Sequence, residues 1–131
     1  MTIPLWTLLI AAALPFVWFT AGNIFRAREF GTLDNRHPRL QQAQQTGLGA
    51  RACAASANSF EALAVYAPAV LVAHLVVPAS AAAPTLAIAW VLLRVGHGLF
   101  YLANKSALRT VCFALATGCA TALYLLGAHV P

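Results

Sequence analysis

The sequence predicts an all-α fold, an integral membrane four-helix bundle in one domain over residues 1–131. Its residues are 61% apolar and 8% charged, whereas soluble domains are roughly 45–50% apolar and about 25% charged. Three long runs carry no charged side chain: 3–25, 62–93 and 110–131. Since a helix needs about 20 apolar residues to cross a hydrocarbon core of about 30 Å, these runs predict membrane spans.

The spans follow one another along the chain. The first is the charge-free run that begins at Ile3. The next apolar stretch is too long for one crossing and is interrupted by the Pro78–Pro84 segment, so it supplies two spans. Arg109 opens the last one. The predicted spans are about 3–25, 52–77, 84–104 and 109–129. Short links make successive helices antiparallel, which gives an up-and-down bundle.

The first connection, about Arg26 to Gly49, is the only long polar segment of the sequence. We expect a turn over 31–35 and a short helix over 39–45 that Pro38 opens. Loops of this length are often lids or binding segments. A solvated linker explains this one equally well.

Orientation follows from the positions of the basic residues. They belong to two connections: Arg26, Arg28, Arg36, Arg39 and Arg51 to the first, and Lys105 and Arg109 to the third. The positive-inside rule therefore places both connections in the cytoplasm and both termini outside. A basic cytoplasmic face accounts for the net charge of +5 without a nucleic-acid partner.

The three cysteines lack metal-ligand spacing, so we expect no metal site.

Two charged residues, Glu61 and Arg94, interrupt the apolar spans. A charge at membrane depth is costly and usually marks a functional site. At a rise of 1.5 Å per residue, Glu61 and Arg94 both lie about 15 Å from the cytoplasmic surface, and Asn58 and His97 about 10 Å. The spacing thus predicts that Glu61 meets Arg94 across two antiparallel helices.

The polar residues of each helix also share one face. Those of the second span cover about 80° of the helix and those of the third about 60°, which predicts a polar cleft open to the cytoplasm. The two stripes are Arg51, Asn58 and Glu61, and Arg94, His97 and Tyr101. Arg26 from the first helix and Arg109 from the fourth lie at the same end. A buried ion pair that only specifies helix packing is the alternative interpretation.

Several guanidinium groups, one carboxylate and an amide suit a ligand with carboxylates and an ammonium group. Glutathione has two carboxylates, one ammonium and a thiol. Arginine pairs carboxylates bidentately, and a nearby guanidinium lowers the pKa of a thiol. An apolar electrophile could enter from the membrane. The charges alone equally permit other small anions.

These residues resemble the MAPEG family, the membrane-associated proteins in eicosanoid and glutathione metabolism. The resemblance covers nearly the whole chain and is to the small bacterial members of the family. It rests on Arg51-x6-Asn58-x2-Glu61, on Arg94-x2-His97-x3-Tyr101 and on the segment 31–39 of the first connection.

The resemblance implies a homotrimer in the bacterial inner membrane with glutathione, the co-substrate, bound between subunits near the cytoplasmic surface. By matching position, the glutathione site would be lined by Arg51, Asn58, Glu61, Arg94 and Tyr101. His97 from the same stripe would join them, and Arg26 matches the family's pattern more loosely. Arg109 would stabilise the thiolate. The implied activity is glutathione transfer to hydrophobic electrophiles, or reduction of peroxides.

Two departures leave alternatives open. Eukaryotic members of the family carry a second arginine where this chain has Ala54, and an aromatic residue often follows the glutamate where this chain has Ala62. A non-catalytic lipid-binding or scaffold member of the same fold is therefore the second hypothesis. The third is a small proton-coupled exporter, for which we would expect an unpaired carboxylate in the first span.

Overall fold

The computed structural model describes residues 1–128 and contains five helices there: α1 (Ile3–Phe30), α2 (Pro38–Ala43), α3 (Gly47–Val76), α4 (Ala82–Leu102) and α5 (Ser106–Ala128). Four of them, all except α2, are long and apolar enough to cross a membrane. The prediction of an all-α membrane four-helix bundle is confirmed for this part of the chain. The predicted end of the last span, at residue 129, lies outside the described residues.

The helices continue beyond the predicted apolar spans at the end where the first connection lies. α1 runs to Phe30. It ends there because the next residue, Gly31, takes a left-handed conformation (φ 75°). α3 begins at Gly47, ahead of the predicted start at 52. Charged residues thus mark the ends of the apolar span, whereas the helix continues past them.

The helices α3 and α4 form the centre of the bundle. α1 packs mainly on α3 and also on α4, whereas α5 packs on the same two helices, mainly on α4. Small residues occupy the contacts, and they permit close approach of helices in lipid. Fully or almost fully buried alanines include Ala52, Ala55, Ala69, Ala87, Ala116 and Ala120.

Tyr66 ties three helices together in the half of the bundle far from the first connection. Its hydroxyl lies 2.8 Å from that of Thr7 on α1 and 3.4 Å from the carbonyl oxygen of Ala87 on α4. Its ring stacks on Trp90 with centroids 3.7 Å apart and an interplanar angle of 8°. This contact fixes Trp90, which matters for the site below.

The first connection is held against the bundle. The Asp34 carboxylate accepts hydrogen bonds from the backbone N–H groups of Arg36 and His37, and Gln45 donates to the carbonyl oxygen of Gly22 at 2.8 Å. Glu29, in the last turn of α1, accepts from the backbone and hydroxyl of Thr46. The helix α2 covers Pro38–Ala43, slightly earlier than the expected 39–45.

The outward faces of the long helices are apolar. Exposed large side chains include Leu9, Phe16, Leu92, Leu115 and Leu125. Such faces contact lipid in an integral membrane protein. The polar side chains that lie within the spans can therefore be considered as a group.

Candidate functional site

Arg94 lies at the contact between α4 and α3. Its side chain is 1% exposed. Nη2 donates to the backbone oxygen of Asn58 at 3.0 Å and to Oδ1 of the same residue at 2.9 Å. One residue of α3 thus holds this guanidinium with two oxygens.

Asn58 also contacts Glu61. Its Nδ2 donates to Oε2 of Glu61 at 3.2 Å. The prediction that Glu61 meets Arg94 directly is wrong, because the amide lies between them. Within residues 1–128, the one contact shorter than 4.0 Å between a carboxylate oxygen and a basic side-chain nitrogen joins Asp34 and His37.

The geometry of helix α3 explains why Arg94 contacts Asn58 instead of Glu61. Asn58 and Glu61 are three residues apart and therefore neighbours on one helix face. An arginine side chain is long enough to reach either position, so equal depth counted along the helices does not select its partner. The predicted polar cluster nevertheless forms.

A cavity of about 210 Å³, here called the mouth cavity, lies at the end of the cluster nearer the third connection. It is lined by Asn58, His97, Tyr101, Arg109, Thr110 and Phe113. The Cζ atom of Arg109 lies 4.3 Å from the centroid of the Tyr101 ring, a cation–π distance. The ring of His97 lies edge-on to the same tyrosine at 5.5 Å. Four predicted site residues thus meet in one cavity.

Arg51 lies beside this cavity. Its Nε donates to the carbonyl oxygen of Leu102 at 3.0 Å, one of the carbonyls that the end of α4 leaves without a helical partner. Arg51 therefore fixes the end of α4 next to Tyr101. It does not line the mouth cavity.

A second cavity, of about 220 Å³ and here called the deep cavity, lies further along the same three helices. It is lined by Glu61, Ala62, Val65, Trp90, Arg94, Phe113, Ala116, Thr117 and Ala120. Phe113 lines both cavities. The two are therefore neighbours, one largely polar and the other largely apolar.

The sequence reasoning missed the walls of the deep cavity. On α5 they are Phe113, Ala116, Thr117 and Ala120, spaced three and four residues apart as on one helix face. That spacing was visible, but small and apolar residues at it are also typical of ordinary packing. Trp90 carried no signal of its own.

Several buried polar atoms have no hydrogen-bond partner among the described residues. They include Nε and Nη1 of Arg94 and Nδ1 of His97. Buried polar groups are normally satisfied. The hydrogen-bonding capacity of these atoms is thus unused within the described residues.

Arg26 is not brought to this cluster within one chain. Its side chain is 5% exposed. It donates to the carbonyl oxygen of Pro38 at 3.1 Å and to Oδ1 of Asn23 at 2.8 Å. Within the chain Arg26 thus holds the first connection against α1.

Comparison with known proteins agrees with this architecture. The family model described as "MAPEG family" matches residues 3–129. No curated protein and no solved structure matches the chain. Because the family model covers nearly all of the sequence, the chain belongs to the MAPEG family, the membrane-associated proteins in eicosanoid and glutathione metabolism.

Proposed function

We propose that this protein is a membrane-bound glutathione transferase or glutathione peroxidase that acts on hydrophobic electrophiles or peroxides. The observation that carries the proposal is the pairing of the two cavities. A polar cavity with a guanidinium and a phenol adjoins an apolar one, and they share Phe113. A peptide thiol and an apolar second substrate need such neighbouring sites.

In this proposal Arg109 is the catalytic residue that stabilises the glutathione thiolate. Its guanidinium lies against the Tyr101 ring, on the wall of the mouth cavity. A cation beside a thiol favours the thiolate, which is the nucleophile. The hydroxyl of Tyr101 and the ring of His97 would position the tripeptide beside Arg109.

The remaining predicted residues would recognise the charged ends of glutathione. Asn58 and Glu61 offer an amide and a carboxylate for its ammonium group, while Arg51 offers a guanidinium for a carboxylate. Arg94 would act mainly by orienting Asn58, since Nη2 is bonded to it twice.

We further propose a homotrimer in a bacterial inner membrane, with the first and third connections in the cytoplasm and the termini outside. Glu61 supports assembly, because it is exposed on the single chain although it lies inside a span. A carboxylate at that depth is costly against lipid, so a neighbouring subunit or a polar ligand must cover it. Arg26 would contribute to glutathione binding only from a neighbouring subunit.

The formation of the glutathione thiolate tests the proposal. Purified protein in detergent is titrated with glutathione, and bound thiolate is followed by its ultraviolet difference absorbance. We expect saturable thiolate formation that Arg109→Ala reduces at least about tenfold, the loss of roughly 1.4 kcal/mol of thiolate stabilisation. Lys105→Ala is the matched control, because Lys105 is an exposed cation of the same turn. Equal thiolate formation by both variants would contradict the role of Arg109.

A non-catalytic lipid-binding or scaffold role is the second candidate, which Ala54 favours because it removes one guanidinium from α3. In that case the protein would assemble, yet show no glutathione-dependent turnover of an aryl halide. The exporter hypothesis requires a carboxylate in the first span, whereas Glu61 lies in α3, the second span.

A further inference from the structure

The end of α4 is held by hydrogen bonds to its last carbonyl groups. The backbone N–H groups of residues 103–105 donate to three of them, at 2.9–3.1 Å: the carbonyls of Leu99, Phe100 and Tyr101. This is the pattern of a Schellman motif, which commonly ends a helix. The carbonyl of Leu102 is not among the three, and its partner is Nε of Arg51 on α3, at 3.0 Å. Arg51 thus completes the hydrogen bonds of the last turn of α4.

The third connection, residues 103–105, has a defined and uncommon conformation. Asn104 has φ 56° and is the one non-glycine residue in the described part of the chain with a positive φ. Residues other than glycine adopt the left-handed conformation rarely, and asparagine is among those that adopt it most readily. The next helix, α5, begins at Ser106. Three residues therefore determine how α5 starts relative to the end of α4.

Little side-chain packing holds the start of α5. The first buried residue of this helix is Ala116, and residues 106–108 are exposed. Tyr101 on α4, in contrast, packs against a buried cluster of side chains from α1 and α3. The position of Arg109 relative to the Tyr101 ring therefore depends mainly on the third connection.

We propose that Arg51 is a positioning residue for Arg109. By holding the Leu102 carbonyl it fixes the last turn of α4, and with it the connection that places Cζ of Arg109 4.3 Å from the centroid of the Tyr101 ring. The bond uses Nε alone, so this role adds to the recognition of a carboxylate by the terminal nitrogens of Arg51. The inference rests on the proposed function in that it takes Arg109 as the residue that stabilises the thiolate.

Two substitutions of Arg51 separate the hydrogen bond from the charge. The side-chain nitrogen of glutamine follows the same three carbons as Nε of arginine, so Arg51→Gln keeps a donor for the Leu102 carbonyl but removes the charge. In lysine a methylene group occupies that place, so Arg51→Lys keeps the charge but removes the donor. Glutamine is therefore the better replacement if Arg51 acts through the Leu102 carbonyl, and lysine is the better one if it acts through its charge alone.

The ring of Tyr101 reports the stacking in the absence of glutathione. The sequence contains three tyrosines, so carbon-13 nuclear magnetic resonance of tyrosine-labelled protein in detergent gives few ring signals, and Tyr101→Phe assigns the one that is needed. Arg109→Ala gives the position of this signal without the stacked guanidinium. We expect Arg51→Lys to shift the Tyr101 signal toward that position, and Arg51→Gln to shift it less.

The pKa of bound glutathione gives a second readout. Ultraviolet difference absorbance is recorded against pH for each variant at saturating glutathione. We expect Arg51→Lys to raise the pKa of the bound thiol by at least about 0.5, which is about a threefold loss of thiolate at a fixed pH below that pKa. Arg51→Gln should raise this pKa less, although it should weaken glutathione binding more. A residue that served stability alone would leave this pKa unchanged.

Asn104 tests the connection without a change of charge. A β-branched residue is poorly compatible with the left-handed conformation, so Asn104→Val should shift the Tyr101 signal as Arg51→Lys does. Asn104→Gly is the matched control, because glycine adopts this conformation freely, and it should leave the signal in place. An unchanged Tyr101 signal in Asn104→Val would overturn the inference.

The order of the two Arg51 variants gives the other decisive result. A change in Arg51→Gln that equals or exceeds the change in Arg51→Lys, in the Tyr101 signal or in the pKa of the thiol, would also overturn the inference. The expected order in the Tyr101 signal, together with no thiolate in the wild type, would refute only the proposed function. Thiolate formation in the wild type with the opposite order of the variants would refute only the inference.

Discussion

Asn58→Ala is the substitution that tests the centre of the cluster most sharply. It removes the Oδ1 acceptor at 2.9 Å from Nη2 of Arg94 and the Nδ2 donor at 3.2 Å from Oε2 of Glu61. The backbone oxygen of residue 58, at 3.0 Å from Nη2, stays in place. Arg94 therefore keeps one of its two bonds.

The expected cost follows from these contacts. Hydrogen bonds between membrane helices contribute about 0.6 kcal/mol on average and up to about 1.7 kcal/mol. Bonds to charged groups contribute about 1.5–3 kcal/mol in soluble proteins. Because the donor here is a charged group that is almost fully buried, we expect Asn58→Ala to lower the free energy of unfolding by about 1.5 kcal/mol, the value on which both ranges agree.

The assay is reversible unfolding in mixed micelles with rising denaturing detergent. Ser59→Ala is the matched control, because the Ser59 hydroxyl donates only to Ala55 of its own helix, and such bonds contribute little. A loss of stability in Asn58→Ala no larger than that in Ser59→Ala would refute the claim that Asn58 holds Arg94.

Three further substitutions or titrations test other parts of the structure. Gly98→Ala should destabilise the protein by about 1–3 kcal/mol, because a Cβ atom there would overlap the indole of Trp18; Gly118→Ala has open space and should be neutral or slightly stabilising, as thermal melts would show. Tyr66→Phe should cost about 1 kcal/mol in the same melts, since its hydroxyl bonds to α1 and α4, and an unchanged melting temperature would contradict that role. The pKa of Asp34 lies below its ordinary value of 3.8 because two backbone N–H groups donate to it. The carboxylate therefore stabilises the first connection above that pH and loses this effect as pH falls through the lowered pKa, and a carboxyl titration by nuclear magnetic resonance should give a midpoint below 3.8.

The membrane fold could be predicted from the sequence because charge-free runs of helical length have few alternatives in lipid. The helix ends could not, since α1 continues through charged residues to Gly31. The end of an apolar run in the sequence indicates where the chain leaves the bilayer. The end of a helix depends instead on a residue such as Gly31, at which the backbone changes direction.

The sequence predicted which residues form the polar cluster, but only some of the contacts between them. Periodicity placed Asn58, His97 and Tyr101 on facing stripes, and these three line one cavity with Arg109. The bond of Arg94 to Asn58 depends on side-chain reach, which helix periodicity does not encode. The position of Arg26 depends on the first connection, whose path no periodic pattern describes.

A structure of the protein determined with bound glutathione tests the central claim most directly. The proposal predicts the sulfur atom in the mouth cavity, within reach of Arg109 and Tyr101, and the ammonium group beside Asn58 and Glu61. Glutathione in the groove between α1 and α3, near Phe16 and Cys53, would contradict it, as would a saturated sample with an empty mouth cavity.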